Sequence, residues 1–238
     1  MVSIDSVYQK VLALANKEKR GYITPQEFNL MARKVQNEIF DSYFHDFVTV
    51  DMKPKNEKSW ADATDLLQMK LHEFTYSENI SMNGVTNGFQ LPVNTYKVIS
   101  IVDADGRAVE EASVRDIKYT ENHPLTKATR NRMVWVRDGF TLVGGVKRYD
   151  CYLYPRPEAT TIIVSYFQRP QDPDWAYVVI KEKALYNSNL TVDFSLHPSE
   201  EEVIVAKILG LCGVIISKQE LVQIGDGMEA GIKASKTD

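Results

Sequence analysis

The stretch "TYKVISIVDADGRAVEEASV", Thr95–Val114, decides the fold class of this 238-residue chain. Apolar and polar residues alternate along much of it, which is the pattern of a β-strand with one buried face. The pair Asp105-Gly106 interrupts the alternation, and this dipeptide is typical of a two-residue hairpin turn. The stretch therefore predicts two antiparallel strands and places β-structure in the middle of the chain.

Further segments towards the C-terminus alternate in the same way or are rich in β-branched and aromatic residues. They are "RMVWVRDGFTLVGG" (132–145), "YDCYLYPRPEATTIIVSYFQRP" (149–170), "WAYVVI" (175–180) and "NLTVDF" (189–194). The first has Asp138-Gly139 at its centre, which predicts a second hairpin. Turn residues separate these segments at short, regular spacing. We therefore expect a small antiparallel sandwich or barrel over residues 76–195.

Helical periodicity dominates on the N-terminal side of this region. Apolar residues recur every three or four positions over residues 3–17, from Thr24 to residue 43, and over residues 59–74. Thr24 and Glu27 have the spacing of a capping box, which predicts where the second helix begins. The first two segments should form an antiparallel helical hairpin.

Helix returns in "HPSEEEVIVAKILGLCGVII", residues 197–216, where Ser199 and Glu202 predict a second capping box. The tail beyond Ile216 is weakly helical, because it holds three glycines that each cost about 1 kcal/mol in a helix. We expect a neighbouring molecule to order that tail.

The order of elements predicts an α+β fold in three parts. Residues 1–75 form a helical hairpin plus a third helix, and residues 76–195 form an antiparallel β domain. Residues 196–238 form a C-terminal helix and a tail that packs back on the helical part. In this prediction the N- and C-terminal helices make a helical bundle, and the β-sandwich or barrel-like domain is inserted into it.

Composition and charge exclude several classes of protein. Hydrophobic residues make up 44% of the chain, charged residues 25%, and the net charge is −4. The nearest approach to the basic stripe of a nucleic-acid binder is residues 118–132, where acidic and polar residues interrupt it. No apolar run has the length of a membrane span, and the N-terminus has no signal-peptide pattern. We therefore expect synthesis in the cytoplasm, with Cys151 and Cys212 as buried free thiols.

The segment "NKEKRGYITPQEF", Asn16–Phe28, resembles the second half of a calcium-binding EF-hand loop. With Gly21 at the invariant glycine of such a loop, its ligand positions fall on Asn16, Glu18, Arg20 and Glu27. Arg20 places a fixed positive charge where a ligand oxygen should touch the metal. We therefore interpret the segment as a glycine turn followed by a capped helix, and not as a metal site.

Other candidate sites also favour structural interpretations. Asp103 and Asp105 belong to a predicted turn, Gly144-Gly145 to a bulge or turn, and His197 to a helix start. The other histidines, His45, His72 and His123, lack metal-ligand spacing. No nucleophile elbow, phosphate loop, dinucleotide fingerprint or zinc-protease motif occurs. The sequence therefore predicts no catalytic, cofactor-binding or metal-binding residue, no cofactor and no enzymatic activity.

Several segments together resemble the neck and head-to-tail connector proteins of tailed bacteriophages. The resemblance is clearest to adaptor and tail-tube gatekeeper-like proteins of short-tailed marine and crAss-like phages. It rests on residues 11–44, Leu91-Pro92, "LYPRP" (153–157), "VSYFQRP" (164–170) and the acidic helix start at His197-Pro198. Residues 103–148 match only loosely.

This resemblance implies a structural virion protein that forms a homo-oligomeric ring, usually of twelve copies, in the neck or tail. Its implied partners are the portal and other neck or tail rings. DNA would pass through the channel without sequence-specific binding, and no membrane is involved. The protein would be made in the host bacterial cytoplasm and end in the virion. The alternative is a virion adhesin whose β domain binds a glycan or receptor through exposed aromatics between Tyr149 and Tyr177.

Overall fold

A computed structural model describes residues 1–16, 23–51, 58–83, 87–155, 161–181 and 183–215, with residues 227, 228 and 230. The chain divides into two compact units. One combines Met1–Glu73 with Pro170–Asp238, and the other is Phe74–Arg169. Residues 170–194, which the sequence patterns placed in the β domain, thus belong to the unit that contains the terminal helices.

Helices precede, interrupt and follow the strands along the chain. The helices are α1 (Ile4–Asn16), α2 (Pro25–Asp51), α3 (Lys58–His72), α4 (Val114–Glu121) and α5 (Glu201–Ile215). The strands are β1 (Thr75–Ser81), β2 (Gly88–Gln90), β3 (Thr95–Asp103), β4 (Ala108–Ala112), β5 (Val134–Val143), β6 (Val146–Tyr154), β7 (Thr161–Gln168), β8 (Tyr177–Ile180) and β9 (Lys183–Tyr186). The three predicted N-terminal helices are confirmed, although α2 extends eight residues beyond the predicted stripe that ends at Tyr43.

The β unit is built on one seven-stranded sheet in the order β1-β7-β3-β4-β5-β6-β2. The described strand pairs are antiparallel except β4 and β5, which run parallel. The two end strands, β1 and β2, lie against each other, so the sheet nearly closes into a barrel. Its interior is filled by apolar side chains that include Leu91, Ile101, Trp135, Leu153, Ile162 and Val164.

The chain enters and leaves the β unit through neighbouring strands. β1 and β7 pair antiparallel over their whole length, from Thr75↔Phe167 to Ser81↔Thr161. One further bond continues the pairing, because the Gln168 backbone N–H donates to the Phe74 carbonyl at 2.9 Å. The first and last residues of this unit are therefore held next to each other.

The predicted arrangement, a bundle of terminal helices with an inserted antiparallel sandwich or barrel-like domain, is wrong, although the chain is α+β. The strands form one mixed, nearly closed sheet, and α4 lies within the β unit as the connection between the parallel strands β4 and β5. The sequence patterns did not indicate α4, which is short and capped by Ser113. The Ser113 hydroxyl accepts a hydrogen bond from the Asp116 backbone N–H at 3.1 Å, which is standard N-cap geometry.

The two predicted hairpin turns have different outcomes. Asp105-Gly106 does form the β3–β4 turn, where Gly106 has a φ of 81°. Asp138-Gly139 does not form a turn, because β5 continues through it with a register shift between Arg137 and Gly139. The turn between β5 and β6 is instead Gly144-Gly145, with φ angles of 59° and 81°. Two consecutive positive φ angles are the requirement of a type I′ hairpin, and glycine meets it without strain.

Buried polar side chains explain why the helices of the first unit do not form a simple bundle. Gln36 of α2 is fully buried, and it donates to the Gln171 carbonyl at 2.7 Å while accepting from the Ser195 backbone N–H at 3.0 Å. Asn29 of α2 likewise accepts from the Trp175 backbone N–H at 2.9 Å. The surface of α2 is thus partly covered by extended chain, which needs hydrogen-bonding partners that apolar side chains cannot supply.

The start of α5 differs from the predicted capping box. Ser199 lies inside a single 3₁₀ turn, Pro198–Glu200, and α5 begins at Glu201. His197 caps that turn, because its Nδ1 accepts from the Ser199 backbone N–H at 3.2 Å. The structural role predicted for His197 is therefore confirmed, whereas the prediction of Ser199 as the cap is wrong.

Glu201 connects α5 to α1 through Lys10 and Ser6, each 2.8 Å from its Oε1. These hydrogen bonds, with that from Lys10 the stronger, hold the pKa of Glu201 below its usual value. A carboxyl pKa that is lower in the folded state adds stability above the unfolded pKa, and this is lost as the pH falls through the folded pKa.

We therefore expect Glu201→Gln to reduce the free energy of unfolding at pH 7 and to reduce it less at pH 3. Urea unfolding at both values measures this difference. The control is Glu202→Gln, which alters an exposed carboxylate on the same helical turn and should change the free energy of unfolding little at pH 7. An equal loss at both pH values for Glu201→Gln would contradict the prediction.

Several sequence predictions fall on residues outside the described part of the chain. They are the Gly21 turn, most of the linker or exposed loop that the polar, proline-containing segment "DMKPKNEKS" (51–59) predicts, and nearly all of the glycine-containing tail. No helix within the described residues combines the length and the apolar character needed to cross a bilayer.

Candidate interaction surface

The Thr24–Glu27 half of the EF-hand-like segment is a capping box in the structure. The Glu27 backbone N–H donates to Thr24 Oγ1 at 3.3 Å, and the Thr24 backbone N–H donates to Glu27 Oε2 at 3.0 Å. The Glu27 carboxylate therefore accepts hydrogen bonds from the backbone N–H and the hydroxyl of Thr24, and these bonds hold the pKa of Glu27 below its usual value. Within the described residues, no group of three or more His, Cys, Asp or Glu side chains is placed to hold a metal ion.

The remaining candidate residues are dispersed. Asp105 lies 3.6 Å from Arg107 at the β3–β4 turn, while Asp103 is buried at the end of β3. His45, His72 and His123 are all exposed, on α2, at the end of α3 and after α4 respectively. The structure brings none of these histidines into a common cluster with the two aspartates.

Both cysteines are buried free thiols, as predicted from the sequence. Burial raises the pKa of Cys151 and of Cys212 to about 12. Because the thiolate is the reactive form of cysteine, neither side chain is prepared for nucleophilic chemistry near neutral pH.

A cleft of about 470 Å³ opens beside β1, β2 and β6 in the β unit. Its lining includes Arg148 and Asp150, and the Nε of Arg148 is shielded from solvent without a hydrogen-bond partner. Thr141 and Gln90 donate to the Asp150 carboxylate and hold its pKa below the usual value. The cleft offers polar groups for hydrogen bonding, but Asp150 already accepts two hydrogen bonds and the Cys151 thiol is not activated.

The aromatic residues proposed as a glycan platform are divided between the two units. Tyr149 and Tyr152 lie on β6 in the β unit, whereas Trp175 and Tyr177 lie in the other unit. Trp175 is only 3% exposed, so it cannot present its face to a sugar. Its indole N–H donates to Asp5 Oδ1 at 2.9 Å, which joins it to α1.

Trp175 instead supports a projecting hairpin. Its ring packs against Tyr8 of α1 at a centroid distance of 4.5 Å. It also stacks with Tyr177 at 5.8 Å and with Tyr186 at 5.6 Å, the two tyrosines that pair at the base of β8 and β9. We call residues 177–186 the hairpin arm.

The outer part of the hairpin arm is apolar and exposed. Val178 is 48% exposed, Val179 62%, Ile180 52% and Leu185 49%. Successive side chains of a strand point to opposite faces, so both faces of the hairpin arm are apolar. A lone two-stranded hairpin is at best marginally stable in water, and contiguous exposed apolar surface marks interaction sites. The sequence indicates a strand at 175–180 but not that its side chains stay exposed.

Both strands of the hairpin arm are also sheet edges. β8 and β9 pair only with each other in the described sheet topology. An edge strand presents backbone N–H and C=O groups that can pair with another chain. The hairpin arm is therefore the candidate interaction surface of this protein. No protein-family model and no curated protein matches the chain.

Proposed function

We propose that the protein is a structural subunit of a homo-oligomeric ring in the neck or tail of a tailed-phage virion. The ring connects the portal to the tail, and DNA leaves the head through its channel. The observation that carries this proposal is the hairpin arm, which exposes apolar side chains on both faces and has two open edges. Its most direct use is burial against a neighbouring protein subunit.

Two further observations support an assembly role. The connector-like segments of the sequence are spread over the chain, from residues 11–44 to residues 197–216. The net charge of −4 suits a channel protein, because phosphate contacts supply most non-specific DNA affinity and a wall poor in such contacts lets DNA move. The proposed copy number of twelve follows the resemblance to connector proteins.

The proposal predicts concentration-dependent rings of the purified protein. Negative-stain electron microscopy and native mass spectrometry should detect them. Val178→Asp should prevent ring formation, because it places a charge in the apolar interface. Leu125→Asp is the matched control: Leu125 is 89% exposed but lies outside the hairpin arm, so rings should persist.

A monodisperse monomer at high protein concentration would contradict the proposed function. Equal loss of rings in both variants would also contradict the role of the hairpin arm. Circular dichroism should show the same secondary structure in both variants, so that a loss of rings reports on the interface.

A further inference from the structure

We propose that the hairpin arm joins neighbouring subunits by β-sheet addition, with β9 of one copy pairing antiparallel with β8 of the next. The inference rests on the proposed ring function and names the surface that links its subunits. The occupant of each open edge is thus a second copy of the same chain.

The hydrogen-bonding pattern of the hairpin identifies the groups available for this pairing. At the base, the Asn187 backbone N–H donates to the Ala176 carbonyl at 2.9 Å. Hydrogen-bonded and non-hydrogen-bonded pairs alternate in an antiparallel ladder, so Val179↔Ala184 is a non-hydrogen-bonded pair. The backbone N–H and C=O groups of Val179 and Ala184 therefore point away from the hairpin, towards the two open edges.

Within the described residues, β8 lacks the features that normally block strand addition, and β9 carries one charge, Lys183. Natural edge strands are protected by proline, charged residues, bulges or a covering segment. β8 contains neither proline nor charge, and the register of β8 with β9 has no bulge. The charged residues of this segment are Lys181, Glu182 and Lys183, and of these Lys183 lies in a strand, at the start of β9.

A second copy fits these edges better than a foreign strand does. β8 and β9 run in opposite directions, so the β9 edge of one copy and the β8 edge of the next are antiparallel when both hairpin arms point the same way. One foreign strand would fill one edge and leave the other open. A head-to-tail series of copies fills both edges of every hairpin arm, and such heterologous contacts form a ring when the rotation between copies closes.

Side-chain chemistry agrees with this arrangement. When the tips are level, Val179 of one copy lies opposite Ala184 of its neighbour, and the rows of Val178 and Leu185 adjoin on the other face. These two rows therefore bring apolar side chains together across the joint, and Ile180 lies opposite Lys183 of the neighbouring copy. The exposed surface of the hairpin arm is buried by the same contact that pairs its backbone.

Two variants, each with one added cysteine, test the joint directly. Val179→Cys and Ala184→Cys are purified separately, mixed, and oxidised under conditions in which the unmodified protein forms rings. The paired edges bring the two Cα atoms within disulfide range. We expect a covalent dimer in the mixture and little in either variant alone, and the buried Cys151 and Cys212 should not compete.

Each other outcome has a defined meaning. Rings without a mixed disulfide would overturn strand addition and leave the proposed function standing. A Val179→Cys dimer formed without Ala184→Cys would indicate two-fold pairing of β8, and would overturn the head-to-tail joint. Absence of rings in the unmodified protein would overturn both the proposed ring function and the proposed strand addition.

A backbone variant gives a second measurement. Val179→Pro removes the outward N–H and should weaken each subunit contact roughly tenfold, the upper range for loss of one hydrogen bond. Val179→Thr keeps the N–H and the β-branched shape, so it should retain rings. Equal ring assembly by both variants would overturn the proposal, provided that their circular dichroism spectra agree.

Discussion

Replacing Glu200 by glutamine is expected to lower the free energy of unfolding by about 3–5 kcal/mol. Glu200 is 3% exposed and forms an ion pair with Lys70, which is 7% exposed, at a distance of 2.5 Å. The pair joins α3 to the 3₁₀ turn before α5. The glutamine leaves the ammonium group of Lys70 buried without its counter-charge, and this is the origin of the large cost.

Two controls separate the buried charge from ordinary packing. The double variant Lys70→Met with Glu200→Leu removes both charges, and it should recover most of the lost stability. Lys10→Met breaks a solvent-exposed ion pair with Glu201 in the same unit, and it should cost at most about 1 kcal/mol. Urea unfolding at pH 7 measures all three. A cost of Glu200→Gln no greater than that of Lys10→Met would contradict the prediction.

Trp175→Ala is expected to lower the free energy of unfolding by about 3–5 kcal/mol, the usual cost of removing a buried aromatic side chain. The indole contacts Tyr8 on one side and supports Tyr177 and Tyr186 at the base of the hairpin arm. Its removal should therefore also loosen the hairpin arm. Chemical unfolding measures the first effect. Faster hydrogen exchange of the Leu185 amide, which the alternation of the ladder directs into the hairpin, measures the second.

Trp175→Phe is the matched control. It retains an aromatic ring but loses the hydrogen bond from the indole to Asp5, so its cost should be smaller than that of Trp175→Ala. Asp5→Asn, which alters the acceptor alone, should cost less again. Full stability of Trp175→Ala would show that the contacts around this ring do not hold the unit together.

The sequence predicted the elements better than their arrangement. The stripe of Phe28, Met31, Val35, Ile39 and Tyr43 is buried along α2, as its helical spacing indicated. Local signals of this kind depend only on neighbouring residues. The parallel pairing of β4 with β5 depends on a long connection between the two strands, and no local signal distinguishes a short capped helix there from a polar loop.

The sequence predicted the strand that carries the candidate surface, but it did not predict that the side chains of this strand are exposed. The β-branched run at 178–180 indicates a strand, but the same residues would suit a buried strand equally well. Exposure depends on what the rest of the chain covers. Trp175 packs against Tyr177 and Tyr186 at the base of the hairpin arm, whereas Val178 and Val179 beyond them stay exposed. Sequence periodicity does not distinguish a buried strand of this composition from an exposed one.

The adjacency of Phe74 and Gln168 has a thermodynamic consequence for the chain as a whole. From the viewpoint of the first unit, the β unit is a loop of roughly a hundred residues, and closing a flexible loop of that length costs about 4 kcal/mol of chain entropy. The antiparallel pairing of β1 with β7 holds the two ends together. The folding free energy of the β unit thus offsets this loop-closure entropy. The two segments of the first unit, which precede and follow the β unit in the chain, are therefore joined as if by a short connection.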